Sequence, residues 1–398
     1  MSLNFCLSDE QKMVQQAVKD ALKQFEPRRE EMHRKIFKEK KFPYDLWHAM
    51  ADIGLMGCLI PEEYGGNNLG LVPLALALDE MGKQGLSNAL MVVTAMDAAC
   101  IVRNGSSELK QRFLPDIASG KSIFCFAITE PDAGSNAFKI TTHAEASGST
   151  YILNGQKVFI TGVDVAQHAL IVARTTSYQA VLGAGLPKSA GMSLFVVDTK
   201  TDGFKKRLIP THGIEGLNQY HLFFDQMKVP KENLVGALDQ GASALFNSLN
   251  TERILAAALS VGLADHLLTR AVGYAKERKV FGDRAIGSYQ ALSHPLAKIK
   301  AETEAARMLM YRAADAFDRK LDPNEIGKWA NMAKMLGAEA AIHACDQAIE
   351  TLGGYGFSEE YGVIYFLEST RLLRTAPITK ELILNYVAEH VLGLPKSY

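Results

Sequence analysis

The sequence predicts a mainly α-helical protein with a small β domain in the middle of the chain. Two observations support this prediction. Apolar residues recur at helical spacing up to about residue 123 and again after about residue 236. Between these limits the chain holds short runs rich in β-branched and aromatic residues, separated by turns and not by helices. We therefore predict three domains, which cover residues 1–123, 124–236 and 237–398.

The composition is typical of a globular enzyme. Of the 398 residues, 47% are hydrophobic and 22% are charged, and the net charge of −1 argues against a nucleic-acid partner, which requires a basic surface. The five cysteines are scattered and odd in number, so we interpret them as free thiols of a reducing compartment. We see no signal peptide, and the apolar run at 254–264 is too short to span a bilayer. We expect a cytoplasmic protein without an integral membrane segment.

The N-terminal domain is predicted to consist of helices. Ser8 and Gln11 have the spacing of a capping box at the start of the first helix. A second helix is predicted to open at Pro43 and to end at Gly57. The domain is completed by a predicted loop over 61–70 and by helical patterns over 71–83 and 106–121, the latter capped by Ser106 or Ser107.

The middle domain is predicted to be a small antiparallel sandwich or barrel, because its strand-like runs follow one another without intervening helices. Asn154-Gly155 lies between two apolar runs, which predicts a hairpin turn there. A cluster of Gly and Ser at 182–192 predicts a loop. The strand-like runs cover 124–129, 151–161, 168–175, 192–199 and 220–229.

The C-terminal domain is predicted to be a four-helix bundle. Long helical patterns with apolar faces cover about 240–275, 289–317, 325–352 and 380–392.

A search for chemical motifs excludes several classes of site. The sequence has no strand followed by Gly-x-Gly-x-x-Gly, no phosphate-binding P-loop, no zinc-ligand spacing and no Gly-x-Ser-x-Gly elbow. We therefore expect neither a Rossmann site nor a metal. The loop TEPDAGSN at 129–136 remains. It is either a surface turn or a segment whose Gly134 and Ser135 offer backbone N–H groups to a phosphate or a ring oxygen.

Seven short motifs occur in an order and spacing that resemble those of the acyl-CoA dehydrogenase family. They are PEEYGG (61–66), ITEPDAGSN (128–136), LNGQKVFIT (153–161), VPKENLVG (229–236), ERKVFG (277–282), YQ (289–290) and LGGYGF (352–357). The resemblance spans nearly the whole chain. It implies the fold predicted above, FAD bound without a Rossmann domain, an acyl-CoA substrate, an electron-transfer flavoprotein as electron acceptor, and a homotetramer built as a dimer of dimers.

The resemblance assigns residues to both ends of the cofactor. Thr129 and Thr161 match residues that contact the edge of the flavin ring, and Phe159 replaces a usual Trp beside it. Ser135 matches a contact to the CoA arm or the flavin, and Thr379 is also assigned to FAD. The adenine-diphosphate end, held across a dimer interface, is assigned to Arg278, Phe281, Gln290, Glu350, Gly353 and Gly354, of which Glu350 stands where Gln is usual.

The usual catalytic base of the family is absent. The family places a Glu after the Gly-Gly pair, and the same register in this chain gives Pro377, which cannot act as a base. Isovaleryl- and long-chain acyl-CoA dehydrogenases instead place the base on another helix, in a motif that TERI (251–254) resembles. This match assigns Glu252 as the base.

Glu252 has two possible roles when only its local sequence is considered. At helical spacing it aligns with Leu249, Ala256 and Leu259 and therefore faces the apolar interior. Burial would raise its pKa, which suits a base that removes a carbon-bound proton. Alternatively, it is an acid stabilised near the start of a helix by the helix dipole. The loss of Glu at position 377 favours the catalytic role.

Three further residues are candidates for contact with the substrate. Arg253 matches a residue near the CoA arm, and Asn250 is assigned to the substrate beside it. Asp97 stands among apolar residues in a segment that lines the acyl pocket in the family. It either pairs with Arg103 or a backbone group, binds a polar acyl group, or acts as a second base.

The resemblance implies a reaction in which Glu252 removes the α-proton of an acyl-CoA while flavin N5 accepts the β-hydride, giving a 2-enoyl-CoA. The alternatives are an oxidase, a dehydrogenase of cyclic acyl-CoA that uses Asp97, and a FAD- and CoA-binding protein without dehydrogenase activity.

Overall fold

A computed structural model of the protein describes residues 7–214 and 216–396. The first part is helical, as predicted, and Ser8 and Gln11 form the expected reciprocal capping box. The helix that begins after Pro43 ends at Asp52 and not at Gly57, because Gly54 takes a left-handed conformation. The helices are α1 (Asp9–Lys23), α2 (Arg29–His33), α3 (Tyr44–Asp52), α4 (Leu71–Lys83), α5 (Ala89–Asn104) and α6 (Ser107–Ala118), the last capped by Ser106.

Helix α5 was not identified as a helix from the sequence. Residues on several sides of it are buried, so it lacks the polar stripe that reveals a surface helix. It begins at Asn88, whose side chain accepts a hydrogen bond from the Leu90 amide. This helix carries Asp97.

The middle part contains an eight-stranded sheet, which consists of β1 (Phe124–Ala127), β2 (His143–Ser147), β3 (Thr150–Thr161), β4 (His168–Arg174), β5 (Met192–Asp198), β6 (Phe204–Ile209), β7 (Gln219–Pro230) and β8 (Leu234–Val235). The strand order is β6-β7-β3-β2-β4-β5-β8, and β1 pairs with β4. Most pairings are antiparallel, but β1 and β4 are parallel, which corrects the prediction of a purely antiparallel domain. A short helix, α7 (Tyr178–Gly183), enters the predicted loop at 182–192.

The hairpin predicted at Asn154-Gly155 is wrong. Both residues lie inside β3, where the pairing with β7 shifts register between Leu153 and Gly155. Gly155 has φ +142°, and a Cβ there would lie 2.6 Å from Thr142 Cα, so the glycine allows a bulge and a close backbone approach. The Asn-Gly pair did mark an irregularity of the backbone, but this irregularity is a bulge and not a turn.

The C-terminal part is a helical bundle whose long helices begin and end within three residues of the predicted limits. Its elements are α8 (Gly241–Glu277), β9 (Lys279–Val280), β10 (Arg284–Ala285), α9 (Gln290–Asp318), α10 (Pro323–Leu352), α11 (Phe366–Leu372) and α12 (Lys380–His390). The apolar run at 254–264 lies within α8, which has 37 residues and is long and apolar enough to cross a membrane. Because 83% of its most apolar stretch is buried inside the protein, the composition fits a core helix.

Buried charges and close backbones fix the position of α8. Arg307 on α9 donates hydrogen bonds to Asp79 on α4 at 2.9 Å and to Asp265 on α8 at 2.5 Å, so one guanidinium ties three helices together. A Cβ on Gly262 would lie 2.3 Å from the Asp79 carbonyl oxygen, and therefore α4 and α8 pack backbone against backbone. The residues that α8 presents to its neighbours are consequently held in place.

Candidate active site

A pocket of about 140 Å³ lies where α5, α8 and α11 meet the end of β3. Its wall is mainly apolar, so a group that enters it leaves water. The lining residues are Ala89, Val92, Val93, Thr161, Gly213, Ile214, Glu252, Ala256, Leu259, Leu263, Ser369, Leu372, Leu373, Ala376 and Pro377.

Among the described residues that line the pocket, Glu252 is the single carboxylate. The side chain is half-buried and lines the pocket beside Ala256 and Leu259, which share its face of α8. Burial raises its pKa from the ordinary 4.5 to about 7, although the positive charges of Arg253 and Lys334 oppose this shift. A carboxyl group with this pKa is about half ionised near neutral pH, which is the condition for an effective general base.

Pro377 lines the same pocket as Glu252. It precedes Ile378 in the segment that connects α11 to α12. The position that holds the base in most of the resembled family therefore reaches the pocket wall, but it presents a proline ring and no N–H group. Glu252 reaches the same space from α8.

Asp97 lies one helical turn beyond the pocket-lining Val93 on α5 and is 0% exposed. Within the part of the chain that the structure describes, neither of its carboxylate oxygens has a hydrogen-bond partner, so the expected pairing with Arg103 or a backbone group is wrong. Burial raises its pKa well above the ordinary value, and the nearby charge of Glu252 adds to this effect. A buried carboxyl group without a hydrogen-bond partner among the described residues therefore lies behind the pocket.

The residues assigned to the flavin edge lie together at the end of β3. The Val158 amide donates to the Thr129 carbonyl at 2.9 Å, which joins the 129–136 loop to β3. Gln219 Nε2 donates to the Thr161 hydroxyl at 2.7 Å and orients it. Phe159 has φ +57° and is 58% exposed, an unusual backbone and an unusual exposure for an aromatic residue. An exposed ring held in this way is suited to stacking against a planar ligand.

A buried ion pair that the sequence analysis missed holds the 129–136 loop. Lys157, 0% exposed, donates to Glu130 at 2.8 Å and to the Ile128 carbonyl at 2.9 Å. Glu130 also accepts from the backbone amides of Thr141 and Thr142. The loop is therefore anchored at its first acid, while Ser135 remains exposed. The acid within the TEP motif and the inward lysine of β3 were the available signals.

The residues assigned to the adenine-diphosphate end lie far from this pocket. Arg278 directly follows the C-terminal end of α8, the helix that carries Glu252, and a rise of about 1.5 Å per residue separates the two by roughly 39 Å. Phe281 is 95% exposed with φ +49°. A Cβ on Gly353 or Gly354 would meet no atom within 4 Å, so both glycines face open space. Gln290 and Glu350 are exposed as well.

Three other assigned residues make structural contacts within the chain. Asn250 donates to the Pro323 carbonyl at 3.1 Å and accepts from Arg253 at 3.1 Å, so it joins α8 to the start of α10. The Thr379 hydroxyl accepts from the Leu382 amide and caps α12. Neither Asn250 nor Thr379 lines the pocket. Within residues 7–214 and 216–396, no group of three His, Cys, Asp or Glu side chains could hold a metal ion.

The arrangement of these residues fits FAD. The exposed Phe159 ring and the oriented Thr161 hydroxyl offer a plate and a polar contact beside the pocket. The exposed Arg278 offers a cation for a diphosphate, and the open backbone at Gly353 allows close approach. These two groups lie on separate regions of one chain, which is compatible with a cofactor that extends between two subunits.

Comparison with known proteins gives the same family. The acyl-CoA dehydrogenase N-terminal, middle and C-terminal domain models match residues 8–121, 125–227 and 239–392. The chain is 44% identical over 355 residues to acyl-CoA dehydrogenase FadE12 of Mycobacterium tuberculosis, which covers 89% of both proteins.

Two further proteins show the range of its relatives. The chain is 33% identical to cyclohex-1-ene-1-carbonyl-CoA dehydrogenase of Syntrophus aciditrophicus, which covers 94% of this chain and 86% of that protein. The solved FAD complex of PigA matches with a TM-score of 0.88 at 28% identity and covers 98% of this chain and all of the other. The chain belongs to the acyl-CoA dehydrogenase family of flavin-dependent oxidoreductases.

Proposed function

We propose that the protein converts an acyl-CoA thioester to a 2-enoyl-CoA, with Glu252 as the base that accepts the α-proton. One observation carries the proposal. Glu252 is the single carboxylate among the described residues that line this mainly apolar pocket, and its pKa is raised to about 7. Thr161, which is assigned to the flavin edge, lines the same pocket. The base and the cofactor edge thus lie close enough to act on one substrate.

The residues of the chain account for the acid-base part of this reaction. The apolar wall around Ala256, Leu259 and Pro377 excludes water, which strengthens electrostatic interactions inside the pocket. The ionised Glu252 takes the α-hydrogen as a proton, and the electron pair of the broken C–H bond becomes part of the new double bond. FAD, when bound, supplies the electron acceptor for the β-hydrogen, which leaves as a hydride. An electron-transfer flavoprotein is our expectation for the final acceptor.

We also propose that the FAD-binding site is completed by a second subunit. Thr129, Phe159 and Thr161 would hold the flavin end, and Arg278 and Phe281 of a neighbouring copy would hold the diphosphate end. The separation of roughly 39 Å between Glu252 and Arg278 along one helix supports this division. A homotetramer is the assembly that we expect, and a cytoplasmic location remains our prediction.

The test is flavin reduction in the absence of oxygen, monitored by the flavin absorbance, with a panel of straight, branched and cyclic acyl-CoA thioesters as substrates. The wild-type protein should bleach with at least one substrate. Glu252→Gln keeps the shape of the side chain and loses the proton acceptor, so bleaching should fall by at least ~10³ while FAD and acyl-CoA binding stay close to wild type. Glu108→Gln, a change of an exposed carboxylate on α6, is the control and should bleach normally.

If Glu252→Gln bleaches at the wild-type rate with the preferred substrate, Glu252 is not the base. If oxygen reoxidises the flavin as fast as artificial electron acceptors do, the protein is an oxidase and not a dehydrogenase.

A second candidate is dehydrogenation of a cyclic acyl-CoA in which Asp97 takes the proton from the ring. The unpaired carboxyl group of Asp97 behind the pocket favours it, as does the 33% identity to a cyclohex-1-ene-1-carbonyl-CoA dehydrogenase. Asp97→Asn should then abolish bleaching by cyclohex-1-ene-1-carbonyl-CoA and leave bleaching by straight-chain substrates unchanged. An equal effect on both substrate classes would reject this role.

A further inference from the structure

Lys334 on α10 is a buried cation close to the candidate active site. It is 1% exposed, and its Nζ donates a hydrogen bond to the Ile378 carbonyl at 2.6 Å. Burial of an ammonium group is costly in free energy unless the charge meets a partner. A single carbonyl oxygen satisfies one of its three N–H donors. The position of this lysine therefore calls for a functional explanation.

The packing of α10 on α8 places Lys334 beside Glu252. A Cβ on Gly327 would lie 3.6 Å from Asn250 Oδ1, and a Cβ on Gly337 would lie 3.4 Å from the Ala257 carbonyl oxygen. The two helices therefore run in the same direction at close range. Lys334 lies between these two glycines along α10, at the level of the α8 segment between Asn250 and Ala257.

Ile378 links this lysine to the part of the pocket wall that Pro377 forms. It follows Pro377, which lines the pocket together with Glu252. The bond from Lys334 Nζ fixes the Ile378 carbonyl and so restrains the segment between α11 and α12. Lys334 thereby contacts the residue next to Pro377, and its positive charge opposes the rise in the pKa of Glu252.

The charges around the pair are of both signs. Burial lowers the pKa of Lys334 to about 8, and the negative charge of Glu252 opposes this shift, so the ammonium form prevails at neutral pH. The charged and titratable groups that face Glu252 or Lys334 are Arg253 on α8, Asp97 on α5, Glu339 on α10 and Glu381 on α12.

We propose that Lys334 is a positioning residue for proton abstraction: its ammonium group stabilises the ionised form of Glu252 and holds the Ile378 carbonyl so that the Pro377 wall stays in place. This inference rests on the proposed role of Glu252 as the base. It assigns to α10 a part in the chemistry that the α8 motif alone does not supply. Arg253 adds to the same field, but it is already engaged with Asn250 at 3.1 Å.

Three substitutions separate the charge of Lys334 from its hydrogen bond. Lys334→Met removes both, Lys334→Gln keeps a neutral donor, and Lys334→Arg keeps the charge and a donor. Lys328→Met is the matched control, because Lys328 lies on the same helix but does not line the pocket. Its Nζ pairs with Glu325 Oε1 at a distance of 2.5 Å. Thermal unfolding of each FAD-loaded variant reports any structural loss.

The readout is the pH dependence of proton abstraction measured apart from hydride transfer. A 3-thia-acyl-CoA carries sulfur and no hydrogen at its β-position, so it cannot transfer a hydride to the flavin. In D₂O the FAD-loaded enzyme can therefore only exchange the α-protons of this compound for deuterium, and NMR detects the exchange. The pH dependence of flavin reduction by the preferred substrate is measured in parallel.

In Lys334→Met and Lys334→Gln, the pH of half-maximal exchange should rise by about one unit, because an adjacent positive charge lowers a carboxyl pKa by ~1–3 units. Exchange at pH 7 should then fall about fivefold and recover above pH 9. Lys334→Arg and Lys328→Met should keep the wild-type profile. If Lys334→Met does not fold, the Gln and Arg variants decide the outcome.

The proposal is overturned if the Met and Gln variants lose rate equally at all pH values, or if Lys334→Gln matches the wild type. Failure of the underlying function is a separate result: Glu252→Gln would then exchange α-protons as fast as the wild-type enzyme.

Discussion

Glu252 and Pro377, which lie on different elements and far apart in sequence, line the same pocket. Pro377 stands at the register where most of the resembled family carries its catalytic base, and Glu252 enters the same space from α8. A carboxyl group is therefore present in this pocket, although it comes from α8 and not from the segment that holds Pro377. This relationship supports the proposal that Glu252 takes the role of the usual base.

The first prediction concerns the pH dependence of flavin reduction. Because the pKa of Glu252 is raised from 4.5 to about 7, the base is protonated and inactive below about pH 6 and ionised above about pH 8. The rate should therefore rise about tenfold per pH unit on the acid side and level off above neutrality. Stopped-flow absorbance measures it, and a rate that is already constant from pH 5 upward would exclude Glu252 as the titrating base.

The second prediction concerns the missing backbone donor at Pro377. By resemblance to the family, the N–H group at this position holds the thioester carbonyl, and proline has none. Pro377→Gly and Pro377→Ala both restore it, and one oxyanion donor is typically worth ~10²–10³ in rate. Both variants should raise kcat more than they change KM. A gain in the Gly variant alone would point to added flexibility, and no gain in either would show that another donor serves the carbonyl.

The third prediction concerns the reach of Arg278 between subunits. Arg278→Ala should weaken FAD retention, because a diphosphate loses a charge-assisted, bidentate contact. When this variant is co-expressed with Glu252→Gln, mixed oligomers should contain sites in which Glu252 of one chain meets Arg278 of the other. FAD-dependent activity at limiting FAD should then exceed that of either variant alone.

The control for this experiment is Lys279→Ala, a change of an exposed residue that pairs with Asp283. Co-expression of Lys279→Ala with Glu252→Gln should show activity in proportion to the Lys279→Ala subunits. If the Arg278→Ala mixture shows no recovery, Arg278 acts within its own subunit or not at all.

The fourth prediction concerns acid stability. His33 and His266 are buried, and burial lowers their pKa values from 6.5 to about 4 and about 3. The unfolded chain therefore binds these two protons at a higher pH than the folded chain does. The free energy of unfolding is at its full value above about pH 6.5 and falls toward pH 4, by as much as ~1.4 kcal/mol per pH unit for each histidine.

His33→Gln should reduce this slope below pH 6.5, because glutamine does not titrate and can still donate to the Gly85 carbonyl that lies 2.9 Å from His33 Nε2. Urea unfolding between pH 4.5 and 8 measures it. His48→Gln, which alters an exposed histidine, serves as the control, and an equal slope in both variants would show that His33 does not cause the acid sensitivity.

The sequence by itself determined the order of elements and singled out Glu252 as the candidate base. Helical periodicity is a local property, so the long helices α8, α9 and α10 could be located to within a few residues. The spacing of Glu252 with Ala256 and Leu259 also predicted its inward face, because one helix fixes these neighbours. The Asn154-Gly155 pair shows the limit: local backbone chemistry signalled an irregularity, but only pairing with β7 decided between a bulge and a turn.

Only the tertiary structure decided which distant groups meet. Pairing with Arg103 or a backbone group was one expectation for Asp97, but neither of its carboxylate oxygens has a hydrogen-bond partner among the described residues. Lys334 carried no motif, and its role depends on α10 packing beside α8 and on its bond to Ile378. The raised pKa of Glu252 likewise results from burial by several elements together. Local sequence fixes periodicity and turn chemistry, whereas desolvation and charge pairing depend on residues that the fold alone brings together.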